Sequence, residues 1–271
     1  MTKRLCCVLV GLPARGKTYI GQKICKYMNW LGLRCQVFNV GSYRRKVAGS
    51  HLNNEFFDPN NTEAVHLRQL AAQDAINDLL KWIQLEEHGV AIYDATNTTR
   101  ERRKWLLEQL GDTCDVLFVE SVCTDQNIIM HNIYEVKVSG PDYCGDEMNA
   151  EEAAKDFQKR MAHYAKVYEP LIRECDSNLS FIKLINVADK IIVNMVNGWI
   201  PSRIAYYLMN LHITPRRIFL SRHGESQFNV TGQIGGDSML SERGCKYSEL
   251  LPGLLEPFLE GQSIKVNFKF M

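Results

Sequence analysis

The sequence lacks the features that mark membrane-spanning, secreted and zinc-binding proteins. No segment of its 271 residues approaches the ~20 consecutive apolar residues that a membrane-spanning helix needs. Its nine cysteines include no C-x-x-C pair and are odd in number, which argues against a zinc site or a disulfide framework. The formal net charge is only +1, so no basic surface for nucleic acid or membranes is indicated. We therefore expect a cytoplasmic globular protein with reduced thiols and with neither nucleic-acid nor membrane partners.

What the sequence does contain is a glycine-rich loop close to its first residue. Residues 11–18 match the pattern G-x-x-x-x-G-K-[ST], in which backbone N–H groups surround phosphates. The preceding run Leu5–Val10 is apolar throughout, as a buried parallel strand requires, and apolar residues then recur at helical spacing over residues 17–31. A secretion signal can also place basic residues before a short apolar run. The order strand, loop and helix favours a P-loop instead.

A P-loop gives its last two residues defined roles. Lys17 would reach the β- and γ-phosphates of a nucleotide, and the Thr18 hydroxyl would bind Mg²⁺. The alternative is an exposed lysine next to a threonine that caps a helix.

Apolar strand patterns alternate with helical patterns along most of the chain. The predicted strands are Leu5–Val10, Cys35–Val40, Val90–Tyr93, Val116–Val119, Phe181–Val187 and Ile191–Val196. The predicted helices cover residues 17–31, 62–87, 99–110, 125–137, 149–168 and 199–211. This alternation predicts an α/β fold with a doubly wound, mainly parallel sheet. The pattern breaks at Pro215, before a new strand over residues 218–220, so we expect one domain over residues 1–215 and a second over residues 216–271.

A carboxylate and two groups of arginines follow predicted strands, at the edge where α/β sheets bind ligands. Asp94 comes directly after the strand Val90–Tyr93, where a carboxylate can order Mg²⁺ or the attacking hydroxyl. The alternative is that Asp94 caps the helix that opens at Thr98 or Thr99. The arginines are expected in loops after the strands: Arg44, Arg45, Arg100, Arg102 and Arg103. Guanidinium groups bind phosphate in a bidentate manner, so together they indicate a phosphorylated substrate, although each alone could be a solvated surface charge.

Two further motifs narrow the chemistry. The residues after Asp94 do not form the D-x-x-G of guanine-specific switches, and no N-K-x-D occurs, which disfavours a GTPase and favours a small-molecule kinase. Arg222-His223-Gly224 follows a short apolar run, and a histidine in that place can attack phosphorus and form a phosphohistidine. Alone this triplet is weak, because a lone histidine is more often structural.

Taken together, these residues resemble the bifunctional 6-phosphofructo-2-kinase/fructose-2,6-bisphosphatase family. The segments that carry the resemblance are GLPARGKTYI, FNVGSYRR, YDATNTTRERR, ESVC, EVKVSGPDY, SRIAYYLMNLH and RHGES…GQIGGDSMLSERG. They occur in this order and extend the resemblance from residue 4 to about residue 268. The resemblance implies a P-loop kinase domain followed by a phosphoglycerate-mutase-like phosphatase domain.

For the kinase half, the resemblance implies ATP-dependent phosphorylation of fructose 6-phosphate at its 2-hydroxyl, giving fructose 2,6-bisphosphate. The residues implied to bind ATP are Gly11, Leu12, Pro13, Ala14, Arg15, Gly16, Lys17, Thr18 and Tyr19, with Asn132 to Lys137. Those implied to bind fructose 6-phosphate are Arg44, Arg68, Thr96, Arg102, Lys137, Arg160 and Tyr164. Catalytic roles are implied for Lys17, Asp94 and Cys123, with Thr18 and Asp94 at Mg²⁺. Cys123 can equally be a buried core thiol.

For the phosphatase half, the resemblance implies His223 as the nucleophile, with Arg222, Asn229 and Gly235 at the substrate. No histidine follows His223 in this sequence, whereas a two-histidine phosphatase needs a second one and a proton-donating carboxylate further along. We therefore expect an incomplete phosphoglycerate-mutase-like α/β fragment over residues 216–271 and no fructose-2,6-bisphosphatase activity.

Three interpretations remain open at the level of sequence. The leading one is a 6-phosphofructo-2-kinase that forms a homodimer through its kinase domain, as the resemblance implies. The second is a catalytically silent chain that acts only as a dimerisation partner. The third is a P-loop kinase for another phosphorylated small molecule.

Overall fold

The computed structural model describes residues 4–143, 149–187, 189–211 and 219–258. The chain divides into two units, Met1–Ile213 and Thr214–Met271. The boundary expected at Pro215, the residue Ile218 and the strand-like segment near the C-terminus all lie outside the described residues. No helix in the described ranges is both long enough and apolar enough to span a membrane.

The first unit is built on a six-stranded sheet. Its strands are β1 (Leu5–Val10), β2 (Cys35–Asn39), β3 (Val90–Asp94), β4 (Asp115–Val122), β5 (Phe181–Ile185) and β6 (Lys190–Asn194). Their order is β2-β3-β1-β4-β5-β6, and all neighbours are parallel except β5 and β6. This confirms the doubly wound, mainly parallel sheet that the alternating pattern predicted.

Helices cover both faces of this sheet. They are α1 (Lys17–Trp30), α2 (Val40–Ala48), α3 (Thr62–Leu85), α4 (Arg100–Leu110), α5 (Gln126–Asn132), α6 (Ala150–Lys166) and α7 (Trp199–Met209). Because side chains alternate along a strand, β1 supplies both layers of the core. Cys7 and Leu9 pack in the layer with α1 and α7, whereas Val8 and Val10 pack in the layer with α3 and α4. Because every residue of β1 is buried, each of its positions favours an apolar side chain. Burial of a valine or leucine side chain contributes about 1.5–3 kcal/mol to the free energy of folding.

Two expectations about local structure are corrected. The strand predicted as Cys35–Val40 ends at Asn39, whose side chain accepts a hydrogen bond from Ser42 N and so starts helix α2 at Val40. The two arginines expected in the loop after this strand, Arg44 and Arg45, therefore lie on a helix.

Arg100, Arg102 and Arg103 lie in α4 and not in the loop before it, because Thr99 caps α4 by accepting from Arg102 N; the helix predicted over residues 99–110 is thereby confirmed. The helix predicted over residues 125–137 is divided: α5 ends at Asn132, and a π-helical turn, Ile133–Val138, continues it.

The second unit is described over residues 219–258. It contains α8 (Gln227–Thr231), α9 (Glu242–Leu255) and an isolated bridge between Ser226 and Leu240. Phe219 and Leu220, expected to belong to a strand, have irregular backbone.

Candidate active site

The candidate site lies where the strand order reverses. β1 is central, and the chain places β2 and β3 on one side of it and β4 and β5 on the other. The crevice at the C-terminal ends of such strands is where α/β sheets bind ligands. The loop after β1, the end of β3 and the end of β4 all meet there.

The loop after β1 adopts a conformation that its glycines permit. Gly11 has a φ of +135°, and a Cβ atom on it would lie 2.5 Å from Ser121 O, so a side chain has no room there. Gly16 has a φ of +79° and caps the N-terminus of α1, directly before Lys17. The backbone N–H groups at the start of α1 are therefore available to an anion.

Three neighbouring segments hold this loop in place. Gly11 N donates to Thr96 O at 2.9 Å, which ties the loop to the turn after β3. The Ser121 hydroxyl at the end of β4 donates to Arg15 O at 2.5 Å. The Asn132 amide at the end of α5 donates to Ala14 O at 3.1 Å. The loop is thus preorganised by contacts from residues 85 to 118 positions away in the chain.

Lys17 has an amino group that is buried without a full counter-charge. Its side chain is 8% exposed, and its Nζ donates to Leu12 O at 2.7 Å. Burial lowers the pKa of Lys17 to about 7, and only Asp94 among its principal charged neighbours raises it. Three other cations lower it further: Lys137, Arg15 and Arg160. An anion placed against Nζ would restore the charge of Lys17, so this position favours phosphate.

Asp94 ends β3 and is 4% exposed. It pairs in register with Asn39 of β2, and the Asn39 amide donates to Asp94 Oδ2. The alternative role of Asp94 as a helix cap is excluded, because Thr99 caps α4. A buried carboxylate held by an amide and facing Lys17 is a suitable ligand for a hard divalent cation.

A second group of charges, which we call the arginine cluster, consists of Arg44, Arg45 and Arg160 around Asp142. The Asp142 carboxylate accepts from Arg44 Nη2 at 2.5 Å, from Arg160 Nη1 at 2.9 Å and from Arg45 Nη1 at 3.2 Å. Burial alone would raise the pKa of Asp142, but the charges and hydrogen bonds of Arg160 and Arg44 hold it well below its ordinary value. Three guanidinium groups and one carboxylate leave the cluster with an excess of positive charge.

An aromatic ring organises this cluster from one side. The Arg160 guanidinium lies 3.6 Å from the centroid of the Phe57 ring, and that of Arg44 lies 5.4 Å from it. Arg68 donates to Phe57 O at 3.1 Å, and the Tyr164 ring lies 6.2 Å from the Phe57 ring. Four of the residues implied to bind the sugar phosphate therefore converge on Phe57.

Lys137 faces both groups of charges. It lies in the π-helical turn after α5, and burial and Arg160 lower its pKa, whereas Asp94 and Asp142 raise it. A lysine that interacts with both Asp94 and Asp142 is positioned to contact a ligand bound near Lys17 or one bound at the arginine cluster.

Arg102 and Thr96 lie differently from the arginine cluster. Arg102 donates to Tyr93 OH at 3.1 Å and to Gln69 Oε1 at 2.5 Å, and its guanidinium lies 4.1 Å from the Trp105 ring. Thr96 lies beside the loop through its carbonyl group, which accepts from Gly11.

Cys123 borders the loop, and the exposed Tyr19 follows the loop in the sequence. Cys123 is 6% exposed, and its thiol is oriented towards Asp125 O at 3.9 Å. It borders a pocket of about 240 Å³ that Leu12, Arg15, Ser121, Val122, Thr124, Gln126 and Tyr168 complete. Tyr19, on the first turn of α1, packs its ring against the ammonium group of Lys23.

Sequence reasoning missed Asp142, Phe57 and the buried Glu120. Glu120 is fully buried in β4, accepts from Tyr168 OH and Leu171 N, and forms an ion pair with Lys183 at 3.0 Å. Asp142 lies within the segment EVKVSGPDY that carried the resemblance, which is the one signal that could have indicated it.

The candidate phosphatase residues lie in the second unit. His223 Nδ1 is 2.7 Å from Gly224 O, and the Arg222 and His223 side chains are exposed. The Asn229 side chain accepts from Ser226 N in the cap of α8, and Gly235 has a φ of +85°.

Comparisons with known proteins agree on one family. The family model described as 6-phosphofructo-2-kinase matches residues 1–215. A protein of Aquarana catesbeiana named 6-phosphofructo-2-kinase/fructose-2,6-bisphosphatase is 49% identical over 250 residues, which are 92% of this chain and 53% of that protein. Its namesake in Gallus gallus is 48% identical over 259 residues, which are 95% of this chain and 54% of that protein. The chain spans about half the length of the curated relatives it matches.

Among solved structures, the similarity is remote. The APS kinase of Mycobacterium tuberculosis, solved with AMPPNP and APS, matches with a TM-score of 0.45 at 10% identity. That match covers 77% of this chain and 97% of the kinase.

Proposed function

The chain belongs to the 6-phosphofructo-2-kinase family, and on that premise we propose that it transfers the γ-phosphoryl group of ATP to the 2-hydroxyl of fructose 6-phosphate. The product is fructose 2,6-bisphosphate, a regulator of glycolysis. The observation that carries the proposal is the presence of two groups of side chains with excess positive charge. One surrounds Lys17 and the other surrounds Asp142, and Lys137 interacts with both.

ATP is proposed to bind along the loop of residues 11–19, with Asn132 and Lys137 beside it. The phosphates would accept hydrogen bonds from the backbone N–H groups at the start of α1, and their charge would return Lys17 to its protonated form. Thr18 and Asp94 offer a hydroxyl and a carboxylate oxygen, the donors that Mg²⁺ prefers. Held by these two residues, Mg²⁺ would supply positive charge that offsets the negative charge of the transferring phosphoryl group.

Fructose 6-phosphate is proposed to bind at the arginine cluster. Its phosphate is a dianion, and the cluster has more positive than negative charge around Phe57. The proposed contacts are Arg44, Arg68, Thr96, Arg102, Lys137, Arg160 and Tyr164. Arg102 donates its hydrogen bonds to Tyr93 and Gln69 and not to Asp142, so it would contact the sugar phosphate from a position outside the arginine cluster.

The chemistry proposed for these residues is positioning together with electrostatic stabilisation. The arginines orient the sugar so that its 2-hydroxyl lies in line with the γ-phosphorus, and Lys17 stabilises the charge spread over the transferring group. Asp94 would either hold Mg²⁺ or accept a hydrogen bond from the attacking 2-hydroxyl. A loose transition state requires no strong base. Cys123, beside Arg15 in the neighbouring pocket, is proposed to support the nucleotide side of the site.

The experiment is a coupled measurement of ADP release from the full chain with MgATP and fructose 6-phosphate. We expect release that requires the sugar phosphate and is lost in Lys17→Ala but kept in Lys26→Ala, which removes an exposed lysine from the same helix. No release from a folded wild-type chain would support the silent dimerisation partner. Release driven better by another phosphorylated small molecule would support the third interpretation.

Two further proposals come from the family alone. The chain is proposed to pair with a second copy through its first unit and to reside in the cytoplasm. The absence of fructose-2,6-bisphosphatase activity stays a prediction from the sequence.

A further inference from the structure

Two cysteines that the proposed function does not use lie side by side on the first unit. Cys25 is on α1, eight residues after Lys17, and Cys35 opens β2. The Cys25 thiol donates to Cys35 O at 3.2 Å. Both residues are half-buried, so each is partly exposed to solvent.

Asn29 joins the two cysteines into one cluster. Its amide nitrogen lies 3.6 Å from Cys25 Sγ and donates to Cys35 O at 3.4 Å. Its amide oxygen accepts from Cys35 N at 3.1 Å. One α-helical side chain therefore fixes the start of β2 against the Cys25 thiol, and the two cysteine residues are in direct contact.

We propose that Cys25 and Cys35 are a modification site at which hydrogen peroxide forms a reversible disulfide between α1 and β2. The Cys25 thiolate attacks one peroxide oxygen, the O–O bond breaks, and Cys25 becomes a sulfenic acid as water leaves after protonation. The Cys35 sulfur then attacks Cys25 Sγ, loses its proton and displaces a second water. Two thiols and one peroxide thus give one disulfide and two waters, with the two electrons passing from sulfur to oxygen.

The electrostatics of the pair assign the two roles. The neighbouring Cys35 side chain lowers the pKa of Cys25 to about 7, burial opposes this, and the Asn29 amide lowers it further. The neighbouring Cys25 side chain, together with burial, raises the pKa of Cys35. Cys25 is therefore the thiolate that meets the oxidant, and Cys35 is the thiol that resolves it.

A second close pair in the same unit provides an internal comparison. Cys6 and Cys114 are 0% and 6% exposed, and their mutual hydrogen bond and burial raise the pKa of Cys6. The two side chains of that pair also interact, but the raised pKa leaves no thiolate and the burial leaves no access for peroxide. Cys175 offers the opposite comparison, since it is exposed.

The test treats the reduced full chain with hydrogen peroxide, blocks remaining thiols with iodoacetamide and maps tryptic peptides without reduction. We expect a linked pair of peptides, residues 24–26 and residues 35–44, that dithiothreitol separates. Cys25→Ser and Cys35→Ser should each abolish the linkage, whereas Cys175→Ser should leave its yield unchanged. In Cys35→Ser, dimedone should trap a sulfenic acid at residue 25.

Several results would overturn the proposal. One is that iodoacetamide alkylates Cys25 and Cys35 after peroxide treatment, so that both are unoxidised, while Cys175 is oxidised. Another is a sulfinic acid at Cys25 with no disulfide to Cys35. A third is a disulfide from either residue to a different cysteine. Because the readout is a peptide mass, it does not depend on kinase activity, and circular dichroism shows whether each serine variant is folded.

Discussion

Binding of ATP to this protein should take up a proton at neutral to mildly alkaline pH. The reason is that Lys17 is buried, with a pKa lowered to about 7, before any phosphate arrives. Triphosphate against Nζ would return the pKa of Lys17 to its ordinary value of about 10.4 or above. Between these two values the bound state holds a proton that the free state lacks, so binding must draw it from the buffer.

The size of the effect follows from the two pKa values. At pH 8 a lysine with a pKa of about 7 is ~90% deprotonated, so about 0.9 proton is taken up, against about 0.1 proton at pH 6. A terminal phosphate has its second pKa near 6 and contributes little at pH 8. Above pH 7 the dissociation constant for ATP should rise by about tenfold for each pH unit, or about 1.4 kcal/mol.

Isothermal titration calorimetry at pH 8 measures this uptake directly. The observed enthalpy is compared in Tris and in HEPES, whose ionisation enthalpies differ and which carry no phosphate to compete for the site, and the slope gives the number of protons. Lys137, whose pKa is also lowered by burial, can add to the total, so the share of Lys17 is the difference between wild type and Lys17→Met. Lys26→Met, on the exposed face of α1, should behave as wild type. A wild-type slope of zero, or an equal slope in Lys17→Met, would refute the reasoning.

Two further predictions concern the residues that hold the site together. Asp142→Asn removes the counter-charge of three guanidinium groups and should lower the free energy of unfolding in urea by about 2–4 kcal/mol at pH 7. Since the pKa of Asp142 is lowered in the folded protein, this difference should persist above pH 4 and shrink only as pH falls below it; a difference under ~0.5 kcal/mol at pH 7 would contradict this role. Gly11→Ala places a Cβ atom 2.5 Å from Ser121 O at a φ of +135°, so it should destabilise by about 2 kcal/mol or more and weaken ATP binding. Both changes are measured, by thermal shift and by titration with ATP. Gly253→Ala, where a Cβ atom on helix α9 meets open space, should not lower the melting temperature and should leave ATP binding unchanged.

The parts of the fold that could be predicted are those set by local pattern. The run Leu5–Val10 is buried at every position, and a strand of that kind must lie in the middle of a parallel sheet. Gly16 and Lys17 were predictable for the same reason, since a helix start after a glycine loop exposes N–H groups whatever surrounds it. Helix α2 was missed because its sequence reads as a polar loop, although Asn39 is a typical cap residue in the position where the helix starts.

The parts of the site that could not be predicted are set by tertiary contacts. Asp142 meets Arg44 and Arg45 across 98 and 97 positions of the chain, and no spacing rule reports such a contact. Phe57 is one aromatic residue among many until the folded chain brings Arg160 onto its ring. Conversely, Arg102 resembles its neighbours in sequence, yet its stacking on Trp105 separates it from the cluster.

The most direct test of the proposed function is the identity of the product. The full chain is incubated with MgATP and fructose 6-phosphate, and the sugar fraction is examined by phosphorus NMR before and after mild acid. The account predicts a product with a second phosphate on the anomeric C2 oxygen, which acid removes to regenerate fructose 6-phosphate. A second phosphate on any other carbon, stable to the same acid, or an unchanged sugar beside folded, ATP-binding protein would contradict it.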